Sequence, residues 1–565
     1  MDRVALRRSW GAAALSVLVT AGCPDDDATV SLPSDASDTP GATDGADGVE
    51  ALDSAAPGDA ASTADSGADA SAPGDAGSSD SASSDVAGAD DASDGAGADA
   101  GDGGVADDAG LAPGCVPSEA VGAVPASCGV FATPGAPQGA AGTPTDPVGT
   151  LAEAVQLAAG KPIYACALTF EETVTLPGGT TVYGGLDCET GWTWTAGAKT
   201  LLRAGNDQIP LRFVAGDPGG VTLADFEVSA ANAEVTDGSS ISVVAVDAEV
   251  HLIRVKLVAG SAQPGGTGET PDEPVGPTDP SDPSIAGYPG AAACFGGAAG
   301  NLGGPGGVNP GCPTSIGGTG GTGQEVQSTA GTDGLPFILD GFGLGGIPYL
   351  QGSGGCLAGL NGAIGGPGVD GLGGTGLGSV TADGYAVAAG LPGGVGQPGQ
   401  GGGGGGAAHG KADCYGASGG GGGAGGCGGA GGLGGHGGGA SIGLLSISSV
   451  VILEDVEIVT GAGGAGGPGG EGQFGGVGGW GGSGGASGGA GVPGACKGGD
   501  GGNGGIGGWG GGGPGGPSIG VAYVGAAPDL SGASITLGTG GAGGAGPGGA
   551  GAAGTAAEAV ELVAP

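Results

Sequence analysis

The chain has 565 residues, of which 152 are Gly and only 4% aromatic, with a single Met. Length alone would suggest several domains, but so few large apolar side chains confine a packed core to one modest β domain beside low-complexity regions. A formal charge of −46 argues against nucleic acid as a partner, since phosphates would meet too few cations, and against electrostatic adhesion to anionic lipid.

Residues 1–23 carry Arg3, Arg7 and Arg8, an apolar run from Gly11 to Val19, and then Thr20-Ala21-Gly22-Cys23. A basic start, a short apolar stretch and small residues make a secretory signal. The small residues before Cys23 resemble the lipobox of bacterial lipoproteins. That resemblance implies a signal peptide over 1–23, lipidation of Cys23, and a membrane contact through an N-terminal lipid anchor. It places the protein in the cell envelope, as a surface-exposed outer-membrane lipoprotein. Residues 24–113 are Ala, Asp, Ser, Gly, Thr and Pro with no Lys or Arg. Such a segment buries too little apolar area to offset its ordering entropy, so a disordered acidic tether is expected.

Setting Cys23 aside, ten cysteines remain, an even number compatible with five disulfides in an oxidising compartment. Cys115 with Cys128, and Cys166 with Cys188, are the plausible local pairs. The other six sit in glycine-rich sequence, where cross-links would contribute much of the order. No CxxC pair occurs, so zinc is not expected; no other metal and no cofactor is assigned.

Order begins near Cys115. Thr150-Leu151-Ala152-Glu153 reads as a capping box opening an amphipathic helix, with Leu151, Ala154, Val155 and Ala158 on one face. Gly160 and Pro162 end it. Short strands are expected at 163–166, 173–176, 181–183, 211–214 and 221–228. The stretch from Val221 to Val228 overlays that from Val250 to Leu257 at a spacing of 29 residues. Such a period, with one or two strands per repeat, is a solenoid signature.

A longer-range repeat is sharper. The sequence Ser240-Ile241-Ser242-Val243 running on to Gly260 aligns without a gap on Ser441-Ile442-Gly443-Leu444 running on to Gly461. A weaker copy spans Ser518-Ile519-Gly520-Val521 to Gly538. Stacked in one coil, these copies require the sequence between them to leave and return at a single corner.

Pro147-x-x-Thr150-Leu151-x-x-Ala154, then Phe170-x-Glu172-x-Val174-x-Leu176-x-x-Gly179, then Val182-Tyr183-Gly184-Gly185 resemble the start of right-handed parallel β-helix proteins of the pectin-lyase-like superfamily. The resemblance implies a mainly β fold, with a helix closing the open end of the coil. The expected organisation is a capping helix and first rungs at 114–262, a glycine-rich insertion at 263–439 and a rung at 440–461. A second insertion at 462–516, a rung at 517–538 and a glycine/alanine-rich tail at 539–565 follow.

The tracts are dominated by Gly-Gly-X triplets, as in Gly463-Gly464-Ala465-Gly466-Gly467-Pro468. Two glycines in three suit a polyproline II-like helix of three residues per turn, whose bare faces could pack through backbone contacts. They resemble the polyglycine-II bundles of phage adhesin tips and of a snow-flea antifreeze protein, and the glycine-rich repeats of mycobacterial surface proteins. Disordered loop is the competing reading.

Relatives in the β-helix superfamily include polysaccharide lyases and hydrolases. Arg254 and Lys256, two apart on one expected strand, would share a face, with Asp225 and Glu227 one rung earlier. Cross-rung salt pairs explain this set more simply than a catalytic one. Glu171 and Glu172 are adjacent and point oppositely, so they cannot flank one bond. No catalytic residue is assigned. Trp192 and Trp194 read as packing residues; with Arg254 and Lys256 they are also the candidate ligand surface, for sugar stacking. The expectation is a non-catalytic protein with a structural or adhesive role, contacting a cell-surface glycan or protein. The alternative is a polysaccharide-active enzyme.

Overall fold

The computed structural model describes residues 113–564, apart from 217–218, 273–274, 296–299, 339, 350–354 and 490. Cys23, the signal segment and all but the last residue of the 24–113 segment lie outside the described residues. Three parallel sheets dominate, with a single α-helix among the described residues, Leu151–Ala158.

From Ile163 to Val524 the chain visits the three sheets in a fixed order, and after Ser518–Val524 it passes to the second sheet without a further first-sheet strand. Strands Val221–Ala224, Phe226–Ser229 and Ser240–Val246 lie in the first, second and third sheets. Glu249–Ile253 then re-enters the first sheet beside Val221–Ala224, with Val250 on Val221. Lys256–Ala259 re-enters the second beside Phe226–Ser229. The 29-residue repeat is therefore a pairing register.

The longer repeat pairs in the same way. Ile241 lies on Ile442, Leu257 on Ile458, Ile442 on Ile519 and Ile458 on Ile535. Each long glycine-rich stretch departs after a second-sheet strand (Lys256–Ala259, Val456–Thr460, Ala533–Thr536) and returns at a third-sheet strand (Ser441–Ile447, Ser518–Val524, Ala556–Glu561). All three leave at one corner.

The main core lies between the sheets, where Val250, Leu252, Val255 and Leu257 meet Val243, Ala245, Leu444 and Ile458. Leu151, Ala154 and Ala158 of the helix belong to the same cluster. Thr150 Oγ1 caps the helix by accepting from Glu153 N at 3.1 Å. The reciprocal half of the expected capping box is absent: Glu153 Oε1 takes Gly139 N, and Glu172 accepts from Leu151 N at 2.7 Å and Ala152 N at 3.2 Å. A carboxylate there also opposes the positive end of the helix dipole.

The central strands of the third sheet, Ser240–Val246, Ser441–Ile447 and Ser518–Val524, are buried on both faces. Ile241, Val244, Ile442 and Leu445 face outward against Val380 of the hairpin Ser379–Thr381 and Gly384–Ala386. This explains the near-continuous apolar run of Ser240–Val246.

The glycine tracts are ordered by backbone. Gly399, Gly402 and Gly405 donate to the carbonyls of Gly426, Gly423 and Gly420. Hydrogen bonds thus recur every third residue between antiparallel segments, the period of a polyproline II-type helix. From the other side, Gly420, Gly423 and Gly426 donate to Cys496, Gly499 and Gly502. Gly482 and Gly479 donate to Gly421 and Ala424, while Gly421 donates to Tyr288. Gly419 and Gly422 donate to Gly321 and Gly318, and accept from Gly304 and Gly307. One segment thereby has neighbours on all sides, and residues 416–429 are buried throughout. This second interior contains almost no side chain. A Cβ on Gly420 would overlap the Gly482 carbonyl oxygen, and one on Gly428 that of Gly396.

Candidate functional site

The corner between the first and second sheets is a single residue wide. Asp225, Arg254 and Asp455 occupy it, with φ of 62°, 50° and 52°, the left-handed region that Asp tolerates and Arg rarely adopts. The backbone ladder runs through it, Asp225 N donating to Ile253 O and Arg254 N to Glu454 O. This corrects the sequence reading of 221–228 and 250–257 as unbroken strands. Arg254 is not on the strand that carries Lys256, so alternation does not place the two on one face.

The Arg254 guanidinium is committed. Its Nε and Nη2 donate to Asp225 Oδ1 and Oδ2, both at 2.8 Å. Asp225 is buried, and Trp194 Nε1 donates to its Oδ2 at 3.0 Å. Arg254 also lies 5.7 Å over the Trp194 ring, a cation–π distance. The hydrogen bond to Asp225 raises the Arg254 pKa further, against the opposing effect of burial. The arrangement holds the corner together.

Lys256 stands on the outer face of the second sheet. Glu227 is its register partner on one side and Glu457 on the other; its Nζ lies 3.3 Å from Glu457 Oε1. These three line an open groove of about 620 Å³ with Lys199, Leu201 and Thr169. Lys199 Nζ donates to Arg254 O at 2.6 Å. His251 faces outward from the first sheet, 3.5 Å from Glu454. The charge ladder across rungs is present as the alignment predicts.

The four candidate ligand residues do not come together. Trp192 is buried, edge-on to Phe131 at 4.8 Å, with Nε1 on Pro144 O. Trp194 and Arg254 engage Asp225, and Lys256 alone lines the groove. Glu171 is exposed, whereas Glu172 caps the helix; its pKa is raised by burial, which its amide donors partly oppose.

All five disulfides are formed. Cys115 bonds Cys128 and Cys166 bonds Cys188, the local pairs expected from spacing. Cys294–Cys414, Cys312–Cys427 and Cys356–Cys496 tie distant glycine segments together. Among the described residues, no group of three His, Cys, Asp or Glu is placed to hold a metal ion.

One set of residues escaped sequence reasoning. Ser441 Oγ donates to Gly260 O at 2.7 Å and accepts from Gly461 N at 2.9 Å. Ser240 Oγ likewise donates to Ala231 O and accepts from Gly260 N, and Ser518 Oγ donates to Gly461 O. The hydroxyls pin the corner where the chain leaves for the glycine tracts. Their recurrence as the first residue of each repeat was the available signal.

Comparison with family models, with curated proteins and with solved structures finds no match.

Proposed function

We propose that this chain is an exported, lipid-anchored cell-envelope protein with a non-catalytic structural or adhesive role at the outer-membrane surface. In this reading the three-sheet stack is a right-handed parallel β-helix closed by Leu151–Ala158. The glycine tracts are polyglycine-II-like bundles inserted at one corner, and Cys23 carries the lipid.

The observation that supports it best is the division of labour in the glycine tracts. Their interior is backbone, cross-linked by three disulfides, while large apolar residues such as Val369, Phe474 and Trp480 stand exposed on it. A rigid frame that presents side chains outward suits contact with a cell-surface glycan or protein.

Two experiments test the reading. Fatty-acid labelling should mark the wild type and spare Cys23→Ser; equal labelling of both removes the anchor. The purified protein should release no unsaturated or reducing ends from a polysaccharide panel.

Such release would support the second reading, a polysaccharide-active enzyme. What favours it is the groove in which Lys256 stands between Glu227 and Glu457.

A further inference from the structure

Residues 471–480 and 500–509 form neighbouring segments at the surface of the glycine bundle. In each, the glycines pack against backbone and every third position turns outward. A Cβ on Gly475 would meet the Gly504 carbonyl and one on Gly479 that of Ile285; Gly504 and Gly505 are closed in the same way by Cys427 and Gly366. The outward positions are Glu471, Phe474, Val477 and Trp480 on the first segment. On the second they are Asp500, Asn503, Ile506 and Trp509. Each row is a ridge whose side chains recur roughly every 9 Å, given about 3.1 Å per residue.

The ridges interleave rings with hydrogen-bonding groups. Phe474 keeps 83% and Trp480 57% of its surface in water. Asp500 Oδ1 accepts from Gly481 N at 2.8 Å, and Asn503 Oδ1 from Gly478 N at 3.0 Å. These bonds set Asp500 beside Trp480 and Asn503 beside Val477. Each polar side chain is held by one oxygen, and no hydrogen bond among the described residues engages Asp500 Oδ2 or Asn503 Nδ2. Next to Phe474 a cleft of about 370 Å³ opens, where Thr270, Asp272, Thr278 and Glu471 bring hydroxyl and carboxylate groups beside Pro277.

These features narrow the occupant. Aromatic faces stack on the C–H faces of a sugar, while carboxylates, amides and hydroxyls bind its hydroxyl groups. A protein partner would instead call for a continuous apolar centre with polar groups at its rim. Here polar and apolar positions are mixed throughout. Periodicity points the same way. In an extended chain of β-linked pyranose rings, alternate rings present the same face at a separation close to one ridge step. A repeating surface matches a repeating polymer over several steps. Charge removes one class of polymer: the cleft contributes Asp272 and Glu471, and Lys497 lies 3.7 Å from Asp500. An anionic polysaccharide would be repelled.

We infer that the ridges 471–480 and 500–509, with the cleft beside Phe474, form a binding face for an extended, uncharged polysaccharide. Its rings stack on Phe474 and Trp480, and its hydroxyls bond to Asp500, Asn503 and the cleft. This deepens the adhesive reading above and rests on it: glycan contact falls on the glycine bundle, away from the groove around Lys256.

The test is calorimetric titration of the full chain carrying Cys23→Ser, so that no acyl chain interferes. The ligands are a cello-oligosaccharide, a manno-oligosaccharide and an N-acetylated chito-oligosaccharide, each long enough to span both rings, and polygalacturonate. At least one neutral ligand should bind, and polygalacturonate should not. Phe474→Ala combined with Trp480→Ala should weaken binding about tenfold or more, as aromatic anchors dominate contacts of this kind. Lys256→Ala should leave it unchanged. All variants must match the wild type in free-thiol content. Should the double variant misfold, Trp480→Ala alone provides the same comparison. Absence of binding to every neutral ligand, or binding that survives the alanines, overturns the inference. So does tighter binding of polygalacturonate. Binding lost on Lys256→Ala but kept in the double variant also overturns it, and with release of reducing ends supports the enzyme reading. Fatty-acid labelling of Cys23 is read separately, so failure of this face and failure of the anchor are distinguishable.

Discussion

Ile241 lies beside Ile442 in adjacent parallel strands of one sheet, although 201 positions separate them in the chain. The same offset persists on both sides of that pair. Ala248 N donates to Ser449 Oγ, Ala440 N to Ser239 Oγ, Ala462 N to Ser261 Oγ and Glu471 N to Thr270 Oγ1, each across 201 residues. One register therefore runs from the sheets through the exit corner and into the glycine segments. The two interiors, one of side chains and one of backbone, are continuous.

The serines at that corner set the first prediction. Ser441 is fully buried and its hydroxyl makes two hydrogen bonds. Ser441→Ala leaves Gly260 O short of a donor without enlarging the core. Such losses cost about 1–2 kcal/mol. The denaturation midpoint should fall accordingly, with the disulfides intact. A midpoint equal to wild type would mean that the corner is held by the backbone alone.

The backbone interior sets the second. Gly428→Ala would drive a methyl into the Gly396 carbonyl, whereas Gly366→Ala meets nothing nearer than Gln397 Cγ at 3.8 Å. The first substitution should destabilise by about 3 kcal/mol or more, because neighbouring backbones must separate. The second should be neutral, or stabilising by up to ~1 kcal/mol through the unfolded chain. Equal effects at the two sites would contradict close packing of the glycine segments. Thermal unfolding with matched disulfide content provides the measurement.

How much of this was legible depends on what carries the information. Ile241, Ile442 and Ile519 were alignable because side chains buried on both faces of a sheet leave a dense apolar pattern. The one-residue corner was not read, since apolar and polar residues alternate on either side of Asp225. A signal was nevertheless present. Buried positions switch parity there, from Val221 and Leu223 to Phe226 and Val228, and again from Val250 and Leu252 to Val255 and Leu257. The three-residue period of the tracts was visible in Gly-Gly-X, but not which tract neighbours which. Bare glycine faces are alike, and only pairs such as Cys312–Cys427 distinguish them. The surroundings of the candidate ligand residues were not legible for a similar reason: Trp192 and Trp194 are close in sequence but turn into different surroundings.

The Asp225–Arg254 pair sets the third prediction. Asp225 is buried and receives both guanidinium donors. Arg254→Ala relaxes an unfavourable backbone conformation little, since Ala also resists positive φ, and it strips a buried carboxylate of its partner. Breaking a pair of this kind costs about 3 kcal/mol. Arg254→Lys should recover only part of that, because an ammonium cannot donate in a fork. Full recovery by Lys, in chemical denaturation, would count against the bidentate geometry as the stabilising element.

Glu172 gives a pH signature with a defined sign. Burial raises its carboxyl above the ordinary value of 4.5, and the amides of Leu151 and Ala152 oppose that rise without cancelling it. The folded chain therefore holds this proton more tightly than the unfolded chain. The associated stability is fully present below pH 4.5 and is lost as pH rises through the higher folded value. Glu172→Gln keeps an acceptor for Leu151 N at 2.7 Å and removes the titration. The many surface carboxylates titrate identically in both proteins, so their contribution cancels in the difference. Relative to the variant, the wild type should lose stability as pH is raised from about 4 toward neutrality, following the linkage relation. A difference that stays flat, or grows with pH, would show that the amide donors outweigh burial and that the carboxylate form is favoured at the helix N-terminus.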